Sequence, residues 1–540
     1  MKLKEDSSYN KLHGIYYTPR KMASEMIRLF VGAGDVKNVL EPSCGNGVFV
    51  EQLHKKYGEK LNIEAVEIEK KETEILQKKY STNNIKIINK DFFEYYSENE
   101  DRKFNLIIGN PPYIRYQYLT SEQRSELSHI LLEHDMKPNK LINAWVAFTI
   151  ACASMIADEG ALAFVIPAEL LQVVYAKDLR KYLTAEFNEI NIVAFNELTF
   201  EEIEQEVVLL ICRKTKAYKG MRIIQVANVD DLKHVKLSEY PFHTFEDNAD
   251  KWTKYFNSSD DVEILNSIKA DGRFQKLSDV ALINVGITTG NNNYFSIDKE
   301  TNSKYHLEDF CMPLLGKSCQ VKSALFEKRD LLANYEKGKR SYLLVIDAQD
   351  RKYLPKNLVD YIELGESTGA NLGYKCSIRD YWYSVPSVWV PDAFFSRRNN
   401  LYPKLLLNKC SAVSTDTMHR MKFLNNTSPE RIALSYYNSV SFAFTEVCGR
   451  SYGGGVLEIL PSEAGNVFVP IIDEMDIENV KAHLKKVDEL IRKNDDIEIV
   501  LDYVDKIVLQ EHHGMSESEC RKYRNVWLNL RARRLGRSKN

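Results

Sequence analysis

The chain has 540 residues, of which 44% are hydrophobic and 28% are charged, and its formal net charge is −3. This composition is typical of a globular protein with several domains, and it excludes a chain that is disordered, collagen-like or coiled-coil throughout. The sequence has no apolar run long enough for a membrane-spanning helix, and the near-neutral charge does not by itself indicate a nucleic-acid partner.

In chain order, strand-like apolar segments alternate with helical patterns over the first part of the sequence. The predicted strands cover 63–68, 85–88, 104–108, 161–166, 190–195 and 207–212, and the predicted helices cover 48–57, 71–80 and 143–156. A short strand, Val39 and Leu40, also leads into a Gly-rich turn. Strands that alternate with helices indicate βαβ units and a largely parallel sheet.

The pattern changes near Lys214. We expect an α/β catalytic domain over 1–215, a polar linker over 216–260, an irregular α+β domain over 261–475 and a helical region over 476–540. The helical region ends in a basic stretch, 521–539, which either follows phosphates or forms a solvated terminal helix.

Nine cysteines are scattered along the chain, and none forms a Cys-x-x-Cys pair. This argues against a disulfide framework and a structural zinc site. The first residues, MKLKEDSSYNKLHG, lack the apolar stretch of a secretory signal. The sequence therefore predicts a protein of a reducing cytoplasm, without a resident metal and without a membrane partner.

A Gly-rich turn follows the first predicted strand, in VLEPSCGNGVFVEQL (39–53). Gly45 and Gly47 allow the backbone to approach a ligand closely. The third glycine of a dinucleotide-binding fingerprint is replaced by Val50, and the Lys-Ser/Thr ending of a P-loop is absent. The loop is therefore suited to a nucleoside rather than to a pyrophosphate, although a lone Gly-x-Gly is often only a turn.

Acidic residues end the next two predicted strands. Glu67 closes the second strand, where a carboxylate can accept both hydroxyls of a ribose. Asp91 and Phe92 close the third, where the carboxylate can accept from an adenine amino group and the ring can pack on the base. Each of these residues alone is as well explained by a solvated strand end or an N-cap. Their common position after consecutive strands favours a ligand crevice.

The segment NLIIGNPPYIRYQ (105–117) carries the most specific motif. An apolar strand runs into Asn110, Pro111, Pro112 and Tyr113. The two prolines fix φ and remove two backbone donors, which leaves the Asn110 side-chain oxygen and the Pro111 carbonyl as acceptors beside an aromatic ring. Two such acceptors suit an exocyclic amine, because they stabilise the positive charge that develops when its nitrogen attacks a methyl sulfonium.

With these motifs in this order, the chain resembles the gamma class of N6-adenine-specific DNA methyltransferases, the Eco57I-like family of type II restriction-modification systems. The segment GIYYTPRKMASEMI (14–27) precedes the Gly-rich loop, as the corresponding motif does in that class. The resemblance implies a Rossmann-like, class I S-adenosylmethionine-dependent methyltransferase domain with a mixed seven-stranded sheet. An α+β target-recognition domain with a helical C-terminal end would follow it.

The resemblance also implies roles for particular residues. The implied contacts to S-adenosylmethionine are Tyr17, Thr18 and Pro19 at its methionine end, Glu41, Cys44, Gly45 and Gly47 in the loop, Glu67 at the ribose, and Asp91 and Phe92 at the adenine. The implied contacts to the target base are Asn110, Pro111, Pro112 and Tyr113, with Tyr113 and Phe200 stacking on it. Phe195 is an alternative to Phe200, and either is equally compatible with a place in the core.

The implied substrate is duplex DNA with the target adenine flipped out of the helix. Two segments resemble recurrent elements of the recognition domains, VGITTGNNNYF (285–295) and GRSYGGGVLEILPSE (449–463). The candidate DNA contacts are Lys317, Arg397, Arg398, Lys409 and Arg450, each of which is also compatible with an ordinary surface charge. The implied setting is a bacterial nucleoid, with a monomer acting on DNA beside a separate cognate restriction endonuclease.

Other functions share parts of this pattern. An RNA amino-methyltransferase, or a glutamine methyltransferase acting on a protein release factor, also uses Asn-Pro-Pro-Tyr chemistry, but usually lacks the N-terminal Thr-Pro element and so large a second domain. A non-catalytic DNA-binding module would leave the Gly-rich loop and the diproline motif without a role.

Overall fold

The computed structural model describes residues 17–30, 36–80, 82–139, 142–197, 206–216, 219–244, 251–424, 427–452 and 454–536. The chain divides into two compact units, residues 1–259 and 260–540. No helix of the described residues is long and apolar enough to cross a membrane.

The first unit is built on one sheet. Its strands are β1 Asn38–Glu41, β2 Asn62–Glu67, β3 Ile85–Asn89, β4 Phe104–Gly109, β5 Ile156–Pro167, β6 Glu189–Phe195, β7 Val207–Arg213, β8 Gly220–Val226 and β9 His243–Thr244. Their order in the sheet is β3-β2-β1-β4-β5-β7-β6-β8-β9. The five strands β1 to β5 run parallel to one another, and β7 is antiparallel to both β5 and β6.

Within the described residues, seven α-helices accompany this sheet. They are α1 Arg20–Phe30, α2 Val48–Tyr57, α3 Lys70–Lys79, α4 Phe92–Asn99, α5 Ser121–Glu133, α6 Ala144–Ser154 and α7 Lys177–Glu186. Helix α6 is apolar around its whole circumference, and all of its residues up to Ala153 are buried, as expected of a helix enclosed by other elements. The α/β architecture predicted for this part of the chain is confirmed.

The expected linker, 216–260, is wrong for the part that carries β8. This strand pairs in parallel with β6 and so extends the predicted seven-stranded sheet, and β9 then pairs antiparallel with β8. Arg222 of β8 is buried because Glu189 of β6 accepts from its guanidinium at 2.8 Å. The Arg222 guanidinium also lies over the Phe242 ring. Because this buried strand contains a charged residue, its sequence resembles that of a polar linker.

The second unit combines several small sheets with helices. Its strands are β10 Phe274–Lys276, β11 Ala281–Val285, β12 Ser296–Ile297, β13 Cys311–Leu315, β14 Leu325–Phe326, β15 Tyr342–Leu344, β16 Ala393–Ser396, β17 Arg398–Asn399, β18 Leu405–Asn408, β19 Val413–Ser414, β20 Met418–Phe423, β21 Arg450–Tyr452, β22 Val456–Glu458 and β23 Phe468–Pro470. The largest of its sheets has the order β11-β20-β16-β18-β14.

The helices from the start of this unit onward are α8 Ser259–Ala270, α9 Leu277–Val280, α10 Asn292–Phe295, α11 Lys299–Tyr305, α12 Lys328–Glu336, α13 Lys356–Ser367, α14 Tyr374–Ser377, α15 Pro429–Tyr436, α16 Ser439–Cys448, α17 Pro461–Gly465, α18 Ile477–Lys493, α19 Glu498–Val504 and α20 Glu517–Leu535. A π-helical segment, Asp505–His512, continues α19.

The basic C-terminal helix α20 packs into the second unit. The Trp527 ring, which is fully buried, meets the Phe442 ring of α16 at a centroid distance of 5.3 Å. Arg534 is also buried and donates to Glu446 of α16 at 2.7 Å. The sequence predicts either a phosphate-binding tail or a solvated helix for the basic stretch. Neither prediction describes Trp527 and Arg534, because both side chains are buried against α16.

Candidate active site

The carboxyl ends of β1, β2, β3 and β4 meet at one edge of the sheet. These strands are mutually parallel neighbours, so the residues that follow them come together in space. The predicted cofactor and base-binding residues Glu41, Glu67, Asp91 and Asn110 each end or follow one of these strands. This edge of the sheet is therefore the candidate active site.

The Gly-rich loop requires glycine at both positions. Gly45 and Gly47 have φ values of +50° and +74°, in the left-handed region that other residues resist. A Cβ on Gly47 would lie 2.5 Å from the Leu76 side chain, and one on Gly45 would lie 3.2 Å from the Tyr17 ring. The Cys44 amide donates to the Val66 carbonyl at 2.9 Å, which fixes the loop to β2.

Glu67 binds the same loop through its carboxylate. One oxygen accepts from the Gly45 amide at 2.7 Å, and the other accepts from the Glu69 amide at 2.8 Å. Because a carboxylate oxygen has two lone pairs, each oxygen can accept one more hydrogen bond. Glu67 is 8% exposed, and burial raises the pKa of its carboxyl. The geometry suits the acceptance of two adjacent hydroxyls.

Two other loop residues lie deeper. Glu41 is fully enclosed and accepts from the Val50 amide at 3.1 Å, so that it supports the first turn of α2. Burial raises the pKa of its carboxyl well above the ordinary value. Cys44 is also buried, and the pKa of its thiol is raised, chiefly by burial. The thiol therefore stays protonated and contributes a small apolar side chain.

The segment before α1 lies against the loop. The Tyr17 ring is about half exposed and faces Gly45, and its hydroxyl donates to Glu72 at 3.4 Å. Thr18 is buried. The Pro19 carbonyl accepts from the Ala23 amide in the first turn of α1. The structure thus brings Tyr17 to the Gly-rich loop, as the resemblance implies.

Asp91 is the N-cap of α4. One of its carboxylate oxygens accepts from the Phe93 amide at 2.8 Å, and the other accepts from the side-chain amide of Gln123 on α5 at the same distance. Phe92 is buried and stacks on Phe148 of α6, with ring centroids 4.6 Å apart. Sequence reasoning missed both Gln123 and Phe148, because their partners lie on other elements.

The diproline motif is connected to both neighbouring strands. The Ser43 hydroxyl donates to the Asn110 carbonyl at 3.2 Å, which links the motif to the Gly-rich loop. The Tyr113 hydroxyl lies 2.8 Å from Asn110 Oδ1 and 3.1 Å from the Val165 carbonyl of β5, and its single proton is shared between them. The Tyr113 side chain is largely buried. A stacking role for this ring stays a prediction.

The chain after the motif is also held in place. Arg124 of α5 donates to the carbonyls of Tyr116 and Gln117, at 3.1 and 3.0 Å. The Ala144 amide at the start of α6 donates to the Ile114 carbonyl at 2.8 Å. Helices α5 and α6 therefore brace the loop that carries Asn110.

The remaining candidates are distributed differently. Phe200 lies outside the described residues, and its rival Phe195 is buried at the end of β6. In the second unit the Arg450 side chain is mostly buried and donates to Glu463 at 2.7 Å, and Lys409 donates to Glu430 at 2.8 Å. Arg397 and Arg398 both pair with Glu458, whereas Lys317 is exposed. Arg450, which lies in the segment 449–463, therefore forms an ion pair within the second unit.

Two protein-family models match this chain. The family model described as Eco57I restriction-modification methylase matches residues 10–200, and the model described as the C-terminal domain of Type II methyltransferase M.Eco57I matches residues 249–509. Type II methyltransferase M.AccI of Acinetobacter calcoaceticus is 22% identical over 527 residues, which cover 93% of this chain and 94% of that protein.

Two further similarities are more limited. Type II methyltransferase M.HincII of Haemophilus influenzae is 29% identical over 226 residues, which cover 41% of each chain. The solved structure of the Type IIL restriction-modification enzyme MmeI in complex with DNA matches with a TM-score of 0.54 at 12% identity, covering 95% of this chain and 75% of that one. The structural likeness supports the fold.

The strand order and the loop at the carboxyl edge define a class I S-adenosylmethionine-dependent methyltransferase domain. The chain belongs to the Eco57I restriction-modification methylase family, whose two models together match most of its length. This confirms the prediction of a DNA methyltransferase of a type II restriction-modification system.

The residues at the edge fit S-adenosylmethionine, the methyl donor of this class. The Gly-rich loop leaves room for close approach, and the Glu67 carboxylate retains lone pairs for ribose hydroxyls. Asp91 and the stacked Phe92 and Phe148 rings combine an acceptor with apolar surface, as an adenine requires.

Proposed function

We propose that this chain is a site-specific DNA methyltransferase that modifies the N6 amino group of an adenine flipped out of duplex DNA. One observation carries the proposal: the Ser43 hydroxyl joins the Gly-rich loop to the Asn110 carbonyl at 3.2 Å. The residues proposed to hold the target base are thereby adjacent to those proposed to hold the cofactor. This adjacency is what a direct transfer between two bound molecules requires.

S-adenosylmethionine supplies an activated methyl group on its sulfonium. The exocyclic nitrogen of adenine is a weak nucleophile because its lone pair is delocalised into the ring. We assign Asn110 Oδ1 and the Pro111 carbonyl as acceptors for its two N–H groups. Acceptors fixed in that position favour the pyramidal nitrogen and stabilise the positive charge that develops on it. Pro112 contributes rigidity, since its ring fixes φ next to Pro111.

The target base has to leave the helix, because an enclosed pocket cannot reach N6 within a base stack. Tyr113 and Phe200 are the proposed aromatic contacts of the extruded base. The Tyr113 hydroxyl in addition orients the Asn110 amide, to which it donates at 2.8 Å.

The second unit is proposed to recognise the DNA sequence. Lys317 is the best available of the five candidate DNA contacts, since Glu430, Glu458 and Glu463 pair with the other four. We further propose that the chain acts as a monomer in the bacterial cytoplasm, at the nucleoid. A cognate restriction endonuclease on a separate chain would complete the system.

The direct test is methyl transfer in vitro. The full chain is incubated with radiolabelled S-adenosylmethionine and duplex DNA of random sequence, and the DNA is then hydrolysed to nucleosides. We expect the label in N6-methyldeoxyadenosine for the wild type, and no label for Asn110→Ala at a level that retains cofactor binding.

The alternatives are tested when the same assay is repeated with RNA and with a release-factor protein in place of the DNA. Label in N4-methyldeoxycytidine would contradict the assignment of adenine. Label in RNA or in a release-factor protein, with none in DNA, would favour the other amino-methyltransferases. A chain that binds DNA and transfers no methyl group to any of the three would be a binding module.

A further inference from the structure

We propose that Gln123 is a positioning residue that sets the Asp91 carboxylate to recognise the exocyclic amine of the cofactor's adenine. This inference rests on the proposed function, because it assigns Asp91 to the adenine of S-adenosylmethionine. It adds a residue on α5, which lies outside the loop and strand ends discussed above.

The Gln123 side chain is fixed at both of its polar atoms. Its amide oxygen accepts from the Thr120 backbone amide at 3.2 Å, and the Thr120 hydroxyl accepts from the Gln123 backbone amide at 3.2 Å. This is a capping box at the start of α5. Since the oxygen is committed to a donor, the NH2 group has to point the other way.

That NH2 group meets Asp91. Gln123 Nε2 donates to Asp91 Oδ2 at 2.8 Å, while Asp91 Oδ1 accepts from the Phe93 amide at 2.8 Å. Both carboxylate oxygens are therefore oriented by donors on different helices, α4 and α5. A carboxylate oriented in this way can present its remaining lone pairs in only one direction.

The chemistry then gives a specificity. The adenine ring offers an amine, which donates, whereas hypoxanthine offers a carbonyl oxygen at the same position, which accepts. A fixed carboxylate stabilises the first and repels the second. A carboxylate free to rotate would discriminate less, because it could turn away from the carbonyl. Gln123 therefore contributes to the selection of an adenine-containing cofactor.

The test measures binding rather than turnover. Isothermal titration calorimetry on the full chain gives Kd for S-adenosylhomocysteine and for its deaminated analogue, S-inosylhomocysteine. We expect Gln123→Ala to weaken S-adenosylhomocysteine about tenfold, in line with the loss of a hydrogen bond to a charged group. The affinity for S-inosylhomocysteine should fall much less. The ratio of the two Kd values should therefore move towards one.

Gln123→Glu is the second variant. It keeps an oxygen for the Thr120 amide and replaces the donor at Asp91 by a second carboxylate. Like charges at this distance disfavour the ionised pair, so we expect a larger loss of S-adenosylhomocysteine affinity than for Gln123→Ala.

Thr120→Ala is the matched control. It removes the hydroxyl that caps α5 and leaves the backbone amide that holds Gln123, so it destabilises the same helix end without releasing Asp91. Its Kd ratio should stay at the wild-type value.

A wild-type ratio in Gln123→Ala would overturn the inference, and so would an equal change of the ratio in Thr120→Ala. Failure of the wild type to bind S-adenosylhomocysteine at all would instead contradict the proposed function.

Discussion

The hydroxyl of Tyr113 lies 2.8 Å from Oδ1 of Asn110 and donates to it, across a corner that contains two prolines. The prolines fix the backbone of this corner, but they leave the Asn110 side chain free to rotate about its own bonds. A donor on Tyr113 restricts that rotation. The tyrosine hydroxyl thus orients an acceptor, and the resemblance implies a separate stacking role for its ring.

Tyr113→Phe separates these two roles. The variant keeps the ring and removes the hydroxyl, so we expect kcat to fall by about three- to tenfold, the range for one neutral hydrogen bond. Tyr113→Ala removes both and should lose more. The check is the methyl-transfer rate in a single turnover with saturating DNA and S-adenosylmethionine. Equal rates for the wild type and Tyr113→Phe would exclude a functional role for the hydroxyl and leave only a role for the ring.

Asn110→Ala removes the acceptor itself. We expect a loss of roughly 10²- to 10³-fold in kcat, which is typical when one group that stabilises developing charge is removed. Cofactor affinity should change little, since Asn110 is not one of the residues assigned to the cofactor. Calorimetry with S-adenosylhomocysteine and the single-turnover rate together check this prediction. A variant that keeps near-normal turnover would show that Asn110 does not hold the base.

Glu67→Ala should act in the opposite way. The variant removes the acceptor proposed for the ribose and also the two contacts that hold the Gly45 and Glu69 amides. We expect a loss of at least about tenfold in affinity for S-adenosylhomocysteine. Glu67→Gln, which keeps one acceptor oxygen, is the milder control. An unchanged Kd in Glu67→Ala would exclude the ribose contact.

Some residues of the candidate site can be predicted from the sequence, and others cannot, because their contacts lie on distant elements. The ends of β1 to β4 could be assigned because parallel strands place their carboxyl ends together whatever the loops do. Gln123 and Phe148 could not, since each matters through a partner on another helix.

The burial of several arginines also could not be predicted from the sequence. Arg222, Arg450 and Arg534 look like surface residues in the sequence, but each is paired with a glutamate inside the fold. A sequence pattern shows the charge and not its partner, and pairing is what makes burial of a charge tolerable. For this reason the sequence pattern predicts a linker where β8 lies, and an exposed or phosphate-binding end where α20 lies.

Glu41 gives the protein a pH-dependent stability. Because burial raises the pKa of its carboxyl, the folded state binds this proton more tightly than the unfolded state does. Its contribution to the free energy of unfolding therefore falls as pH rises from the ordinary carboxyl range through the raised pKa. Glu41→Gln keeps an acceptor for the Val50 amide and removes the titration.

We therefore expect the Tm of Glu41→Gln to exceed that of the wild type at about pH 8, and the difference to shrink towards about pH 5. Thermal unfolding of both proteins across this range is the measurement. A difference that grows as pH falls would contradict the assigned direction of the pKa shift.

The buried pair of Arg534 and Glu446 should make α20 essential for stability. Arg534 also donates to the Asn400 carbonyl at 2.6 Å, so its loss frees a carboxylate and a backbone acceptor in the core. We expect Arg534→Met to cost about 3–5 kcal/mol, and the double variant Arg534→Met/Glu446→Met to cost less, since no charge is then left unpaired. Arg521→Met, on the exposed face of the same helix, is the control. Denaturant unfolding checks all three, and an equal loss in Arg521→Met would exclude a special role for the pair.

The most direct test of adenine methylation at the Asn110 corner is long-read sequencing of DNA from cells that express the chain, because it reports the modified base and its surrounding sequence together. We predict N6-methyladenine at one recurrent sequence, and its disappearance in cells that express Asn110→Ala at the same level. Modification of cytosine at that sequence, or adenine methylation that persists in the variant, would contradict the account.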